Sequence, residues 1–296
     1  MKVERLGTTF FAKVTDVDLT RPINEAAYDA INEALLAHGV LWLPDQPITD
    51  EQQDAFSTHY GPLEESFYNP EDNVARLSNV NPDGTLRDPD SSQSTFLRAN
   101  QLWHSDSTLF QTPARISFLS ARKVPPVGGE TEWADLEAAW NDLPEARKQE
   151  LDGLIIEHDF QNSRRKMGHT LSDTDRERWP PLPHPLVRVH EETGRKALYI
   201  GSQATHVIGW PTEKGEALVK ELYDHVSQDK YVHTHTWTVG DLLIWDNRRV
   251  NHRGRPWDEA KYARALHRTT VRGRGPTMEN GQAVNEYERL RRQKAA

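Results

Sequence analysis

The run Asn100-Gln101-Leu102-Trp103-His104-Ser105-Asp106 sets an imidazole and a carboxylate two residues apart behind an apolar, aromatic lead-in. In an extended strand, positions i and i+2 point to the same face, so both side chains can grip one metal ion. Far downstream Trp245-Asp246-Asn247 is followed by His252, and then by two arginines four residues apart, Arg264 and Arg268. A second histidine arriving from a distant strand completes a two-His-one-carboxylate facial triad. That triad holds non-heme Fe(II) by one face and leaves the remaining positions for substrate and oxygen. The predicted metal ligands, which are also the predicted catalytic residues, are His104 and Asp106, with His252 as the candidate third. Two guanidinium groups just beyond them suit a cosubstrate with two carboxylates, because arginine binds carboxylates in a fork.

Working outward, ligands at 104, 106 and 252 span most of the 296 residues, and no linker or internal repeat divides them. The expectation is a single domain over 1–296, with its core at about 6–273 and a basic helix or tail at 276–296. The chain has no cysteine, which removes disulfides and thiolate ligation and leaves histidine and carboxylate as the strong metal ligands. Met1-Lys2-Val3-Glu4-Arg5-Leu6-Gly7 carries no apolar signal core, and the mean hydropathy of -0.79 leaves no room for a spanning helix. A cytoplasmic protein with no membrane partner is expected. The net charge of -9, from 36 basic against 45 acidic residues, argues against nucleic-acid binding. The basic run Arg289 to Lys294 reads as a solvated or frayed helix end.

Local signals place the elements. Asn24 is positioned to cap a helix with apolar positions Tyr28, Ile31 and Leu35 that ends at Gly39, and the strand Val40 to Leu43 follows. Thr49 with Gln52 predicts a capping box opening a second helix through Phe56. The polar stretch from Asn81 to Ser94 predicts a long loop, a candidate lid, running straight into the metal motif. Strand-like segments recur at 116–119, 186–189, 197–200, 231–238, 242–245 and 266–271, with Val239-Gly240-Asp241 turning one strand back on the next. Helices are expected around Leu136 to Leu151 and from Thr212 to Val226. A strand-rich body with inserted helices predicts a mainly β double-stranded jelly-roll barrel.

Thirteen histidines make chance pairings with carboxylates inevitable. His190-Glu191-Glu192 has the same spacing as the metal motif but sits in Glu191-Glu192-Thr193-Gly194-Arg195, which predicts a water-exposed hairpin turn. His233-Thr234-His235 could chelate on a strand face but lacks a following carboxylate partner. Asp246 is expected to orient ligands by hydrogen bonding rather than to bind metal. Arg98 and Thr108 flank the metal motif and are candidates to hold an anionic substrate.

The run Leu102-Trp103-His104-Ser105-Asp106-Ser107, then Pro125-Pro126-Val127-Gly128-Gly129-Glu130-Thr131-Glu132-Trp133-Ala134-Asp135, resembles the taurine/2,4-dichlorophenoxyacetate dioxygenase (TauD/TfdA) family. So do His184-Pro185-Leu186-Val187-Arg188, Val239-Gly240-Asp241-Leu242, Trp245-Asp246-Asn247-Arg248 and His252-Arg253-Gly254-Arg255. The resemblance runs from about Leu6 to Gly273, and its wording is closer to the aryloxyacetate branch than to the taurine branch. It implies a cupin-like jelly roll with the metal at the barrel mouth, Fe(II), 2-oxoglutarate and O2 as cofactor and cosubstrates, and a homo-oligomer. It also implies His252, at its place after Trp245-Asp246-Asn247, as the third metal ligand. Arg264 and Thr131 would then hold the distal carboxylate of 2-oxoglutarate, with Arg268 near its iron-chelating end. Asn100, His190 and His206 match positions near the primary substrate. One residue more than in related proteins separates His252 from the arginine pair, in the loop Arg255 to Glu259. The implied reaction cleaves an aryloxyacetate ether to a phenol and glyoxylate, with release of succinate and CO2. Taurine, an alkyl sulfonate, an alkyl sulfate or another small carboxylate would use the same chemistry. A jelly-roll protein binding metal and a small acid without catalysis is the alternative from another class.

Overall fold

The computed structural model describes residues 1–65, 72–288 and 292. Leu242–Asp246 is apolar from Leu242 to Trp245 and lies in the middle of a seven-stranded sheet, paired antiparallel with Val40–Leu43 on one side and Ala114–Lys123 on the other. The sheet continues through Ala265–Arg272 to Ala75–Ser78 at one edge, and through Ala12–Thr15 to Lys2–Arg5 at the other. Its single parallel pair joins Ala12–Thr15 to Val40–Leu43.

The period of two then sorts the side chains. Leu242 and Ile244, with Ile116 and Phe118, pack against Ile31, Leu35 and Phe56 from the helices Glu25–His38 and Asp50–Thr58. Leu243 and Trp245, with Leu119 and Ala121, pack against Trp133 and Val250. Those last two belong to a second sheet, in which Thr131–Asp135 is flanked by Val232–His235 and Val250–Gly254. Two sheets thus close on one apolar layer while helices cover the back of the larger, which is the jelly-roll arrangement the strand pattern predicts.

The helix ends are specified locally. Asn24 accepts from the Ala27 amide, and the chain leaves that helix through Gly39 at φ 73°, where a Cβ would also meet Arg249 Nε at 2.8 Å. Thr49 and Gln52 form both bonds of the capping box. Thr212–Val226 packs with Leu136–Asn141 and four short strands into a separate apolar cluster beside the barrel. No helix among the described residues is long and apolar enough to cross a membrane.

Four local expectations need correction. The 81–94 segment does not run straight into the metal motif: Ser91 caps the helix Ser92–Arg98, followed by a 3-10 turn at Ala99–Gln101. Leu136 to Leu151 is two helices, Leu136–Asn141 and Glu145–Leu151, since Pro144 bars the preceding residue from the helical region. Val239-Gly240-Asp241 does not form a hairpin, because Val232–His235 pairs with Thr131–Asp135 while Leu242–Asp246 lies in the other sheet. The turn carries the chain between sheets, with Asp241 accepting from the Thr238 amide at 2.7 Å and paired to His235 at 3.0 Å. The Glu191–Gly194 turn does join two paired strands, but His190 and Glu191 are buried rather than exposed. Most of the basic run Arg289 to Lys294 lies outside the described residues.

Candidate metal centre

His104 and His252 face one another across an isolated antiparallel bridge. The His104 amide donates to the His252 carbonyl at 3.1 Å, and the His252 amide to the His104 carbonyl at 2.8 Å. The backbone therefore fixes how far apart the imidazoles sit, with ring centroids 4.2 Å apart and the Trp245 ring 4.7 Å from that of His252. His104 Nδ1 lies 2.7 Å from the Leu102 carbonyl, which can only accept, so Nδ1 carries the proton and Nε2 keeps its lone pair.

Asp106 follows where the chain turns, with Ser107 in the left-handed region at φ 61°. Its amide donates to Asn247 Oδ1 at 3.1 Å, and its Oδ2 accepts from Ser117 Oγ at 2.7 Å. Asn247 Nδ2 in turn donates to Ser117 Oγ at 2.8 Å, and Trp245 Nε1 to Asn247 Oδ1 at 3.0 Å. Arg268 binds the other oxygen, Oδ1. One ligand atom from each of His104, Asp106 and His252 lies within 4.8 Å of the others, and all three residues are buried.

Electrostatics sets their protonation. Burial would raise the Asp106 carboxyl, but the Arg268 guanidinium, then His252, His104 and the Ser117 bond, hold it down at about 2. Burial pushes His104 below its ordinary value against the pull of Asp106, and it pushes His252 well below, helped by His104. Two neutral imidazoles and one carboxylate are the protonation states that metal binding requires, and this set of two nitrogens and one oxygen fits Fe(II) with open positions.

Two cavities meet at the centre, and His104, Asn100 and Arg268 line both. The first, of about 780 Å³ with its open mouth, is lined in part by Arg264. Arg264 Nε donates to the Gly129 carbonyl at 3.0 Å and Nη2 to Thr131 Oγ1 at 3.4 Å, while Trp237 Nε1 donates to the same Thr131 oxygen at 2.9 Å. Gly129, at φ 72°, permits the approach, since a Cβ there would come 3.1 Å from Arg264 Cδ. Burial pulls the Arg264 guanidinium down to about 10, against Glu130 and Glu259. Among the described residues no carboxylate forms an ion pair with Arg264. The second cavity, about 1950 Å³ with its open mouth, has an aromatic wall of Phe96, Phe110, Phe160 and Trp179 beside Arg268 and Arg272.

The other expected residues scatter. Asn100 lies on both cavities. Arg98 lines the first, 3.5 Å from Glu259 and 2.8 Å from the Pro89 carbonyl. Thr108 is buried behind His104, its carbonyl 2.8 Å from His184 Nε2. His190 is 2.9 Å from Asp246 Oδ2, away from both cavities. His206 bonds Thr205 and lines a separate surface cleft with Glu157 and Tyr223. His233 stacks on Phe11 at 3.7 Å, so that His-x-His pair is packing. Sequence reasoning did not single out Ser117 or Glu64 and gave Asn247 no role of its own. Only Asn247 carried a signal, its place directly after Trp245-Asp246.

The family model for the taurine catabolism dioxygenase TauD, TfdA family matches residues 2–270. An alpha-ketoglutarate-dependent 2,4-dichlorophenoxyacetate dioxygenase from Cupriavidus pinatubonensis is 42% identical over 275 residues, covering 90% of this chain and 96% of that protein. An (S)-phenoxypropionate/alpha-ketoglutarate-dioxygenase from Sphingobium herbicidovorans is 37% identical, over 86% of this chain and 88% of the relative. The crystal structure of AAD-2 in complex with Mn(II) and N-oxalylglycine superposes with a TM-score of 0.89 at 35% identity, covering 95% of this chain and all of that one.

Proposed function

The chain belongs to the taurine catabolism dioxygenase TauD, TfdA family, and we propose that it is an Fe(II)- and 2-oxoglutarate-dependent dioxygenase whose primary substrate is an aryloxyacetate. His104, Asp106 and His252 would hold the iron, and Arg264 with Thr131 would take the distal carboxylate of 2-oxoglutarate. Arg264 carries this reading: a desolvated guanidinium lining a cavity that also reaches His104 and His252 wants a carboxylate. The relatives named for 2,4-dichlorophenoxyacetate and phenoxypropionate support the substrate class.

Bound iron would supply oxygen activation, with 2-oxoglutarate converted to succinate and CO2 as a substrate C–H bond is oxidised. The residues of the chain do the positioning. Asn247 and Ser117 fix the Asp106 carboxylate, and the Leu102 carbonyl fixes the His104 tautomer. Phe96, Phe160 and Trp179, set edge to face, offer an aryl ring an apolar wall, and Arg268 brings positive charge to the point where the two cavities meet. An aryloxyacetate seated ring to wall presents its methylene towards the triad. Hydroxylation there gives a hemiacetal that collapses to a phenol and glyoxylate.

The test is succinate formation from 2-oxoglutarate and Fe(II), with and without oxygen, in the presence of phenoxyacetate, taurine or an alkyl sulfate, for wild type and His104→Ala. Oxygen-dependent succinate stimulated by phenoxyacetate, with phenol produced and both absent from the variant, is expected. Stimulation only by taurine or the sulfate would overturn the aryloxyacetate reading alone. No oxygen-dependent succinate under any condition would favour a binding protein over an enzyme.

A further inference from the structure

The second cavity holds an acid that neither the triad nor the 2-oxoglutarate site uses. Glu64 is fastened beside the strand that carries Arg268, its amide donating to the Thr270 carbonyl at 2.8 Å. Its Oε2 accepts from Ser107 Oγ at 2.5 Å, directly after Asp106. Its Oε1 is buried and has no hydrogen-bond partner among the described residues, in a cavity wall shared with Asp106, Arg268 and Arg272. A buried carboxyl oxygen without a partner is costly, so a ligand that bonds it gains what the protein alone leaves unmade.

The charged and titratable groups around Glu64 set its proton. Burial is the largest influence and raises it; the Ser107 bond opposes, Asp106 adds to the rise, and Arg268 and Arg272 oppose again, leaving it at about 7. Tyr199 lies within electrostatic range, Glu65 stands 4.0 Å from Arg272, and Arg164, Arg178 and His104 line the same cavity. A protonated carboxyl has a hydrogen to donate, whereas the ionised form only accepts. Among the described residues nothing bonds Oε1, and an anionic substrate would offer that hydrogen an acceptor.

We propose that Glu64 is a specificity-determining residue: as the neutral acid it donates a hydrogen bond to the anionic group of the primary substrate, and as the carboxylate it repels that group. The proposal rests on the reading of this cavity as the seat of a small organic anion. It gives anion binding a direction with pH, strongest while Glu64 is protonated and weaker as rising pH ionises it.

The experiment uses the full chain loaded anaerobically with Mn(II) and 2-oxoglutarate, so that binding is read without turnover. Dissociation constants for phenoxyacetate and for hexyl sulfate are measured by calorimetry from pH 6 to 8.5 in wild type, Glu64→Gln and Glu64→Ala. Wild type is expected to bind phenoxyacetate at least fivefold more weakly at pH 8.5 than at pH 6. The glutamine variant keeps a donor and cannot ionise, so it stays within about twofold of the wild-type pH 6 value at every pH. The alanine variant is weak at pH 6 and flat. A wild-type affinity that does not change with pH, that strengthens above 7, or whose change survives in Glu64→Gln overturns the proposal and leaves the aryloxyacetate reading standing. If hexyl sulfate alone binds, with a pH dependence that the glutamine variant abolishes, Glu64 keeps its role and the aryloxyacetate reading fails. Binding of neither anion overturns both.

Discussion

His104-Ser105-Asp106 and His190-Glu191-Glu192 place the same residue classes at the same spacing, and in both the histidine is buried, yet their surroundings are opposite. Around the second, Arg248 donates to Asp246 Oδ1 and Oδ2 at 2.8 and 2.6 Å, to Glu191 at 2.7 Å and to Glu192 at 2.5 Å. Arg115 reaches Glu192 at 2.8 Å, Arg274 at 3.2 Å, and His190 meets Asp246. Three arginines face three carboxylates, so each acid already has a guanidinium partner. Around the first, Asp106 has a single arginine, and the His104 lone pair and the carboxylate stand on a cavity wall. Burial and ligand chemistry are common to both. What separates a candidate metal site from an internal ion cluster is that one arginine rather than three meets the acid, and that a cavity opens on it.

The largest effect should come from breaking the arginine-paired cluster. Replacing Arg248 by Met leaves Asp246, Glu191 and Glu192 buried without their main counter-charge, and removing one partner of a buried pair costs about 3–5 kcal/mol. Urea unfolding should show a loss of that size, a large share of an ordinary domain's stability. A loss below 1 kcal/mol would mean the cluster is hydrated and the contrast with the metal centre is not one of arginine pairing. At the other site Asp106→Asn removes the only anion of the triad. Its Mn(II) affinity should fall by more than the roughly 10–100-fold that losing an outer partner of a ligand costs. Its unfolding free energy should change much less than that of the Arg248 variant.

Third in size is the support of Asp106. Asn247→Ala removes the acceptor for the Asp106 amide and the donor that orients Ser117. Metal affinity should drop about 10–100-fold, with every first ligand still present. Ser117→Ala, which deletes one bond to Oδ2, should fall at the lower end of that range. If both variants bind Mn(II) like wild type, the Trp245–Asn247 turn is only packing.

These contrasts also show which parts of the structure were readable from the chain. Asn24 with Gly39, and Thr49 with Gln52, declared helix ends because capping is satisfied within four residues and needs no tertiary partner. Leu242 to Trp245 declared a strand by its apolar run, and its central place in the sheet came only with the structure. The turn at Gly240 misled, because a tight turn specifies a change of direction but not which sheet receives the next strand. His190-Glu191-Glu192 misled more deeply: its polarity looks like a surface, and the arginines that make its burial tolerable come from positions 115, 248 and 274. Nothing local announces such partners. His104, Asp106 and His252 stood out because several separate motifs, in order, point to them together, and the structure brings them within reach of one ion. Glu64 gave no sign, since its interest lies in an oxygen that has no hydrogen-bond partner among the described residues.

The smallest expected effect tests the same rule at a partly exposed pair. Arg98 and Glu259 approach to 3.5 Å at the first cavity, where the segment from Asn79 to Arg98 meets the loop from Arg255 to Tyr262. Asn79 Nδ2 fastens the same loop, donating to the carbonyls of Glu259 at 2.9 Å and Tyr262 at 3.0 Å. Arg98 retains 30% and Glu259 14% of their side-chain exposure, so water screens the pair and its coupling should be about 0.2–1 kcal/mol. Arg98→Ala should therefore weaken 2-oxoglutarate binding by no more than about fivefold, with little change in unfolding free energy. The effect should shrink at high ionic strength, because exposed pairs are screened and buried ones much less so. A double-mutant cycle with Glu259→Ala separates the alternatives. Coupling within that range leaves Arg98 as a clasp over the cosubstrate cavity. A loss confined to Arg98, larger and insensitive to salt, would mean that its guanidinium reaches the bound acid itself, and the burial rule drawn from Arg248 would then extend to the mouth of the cavity.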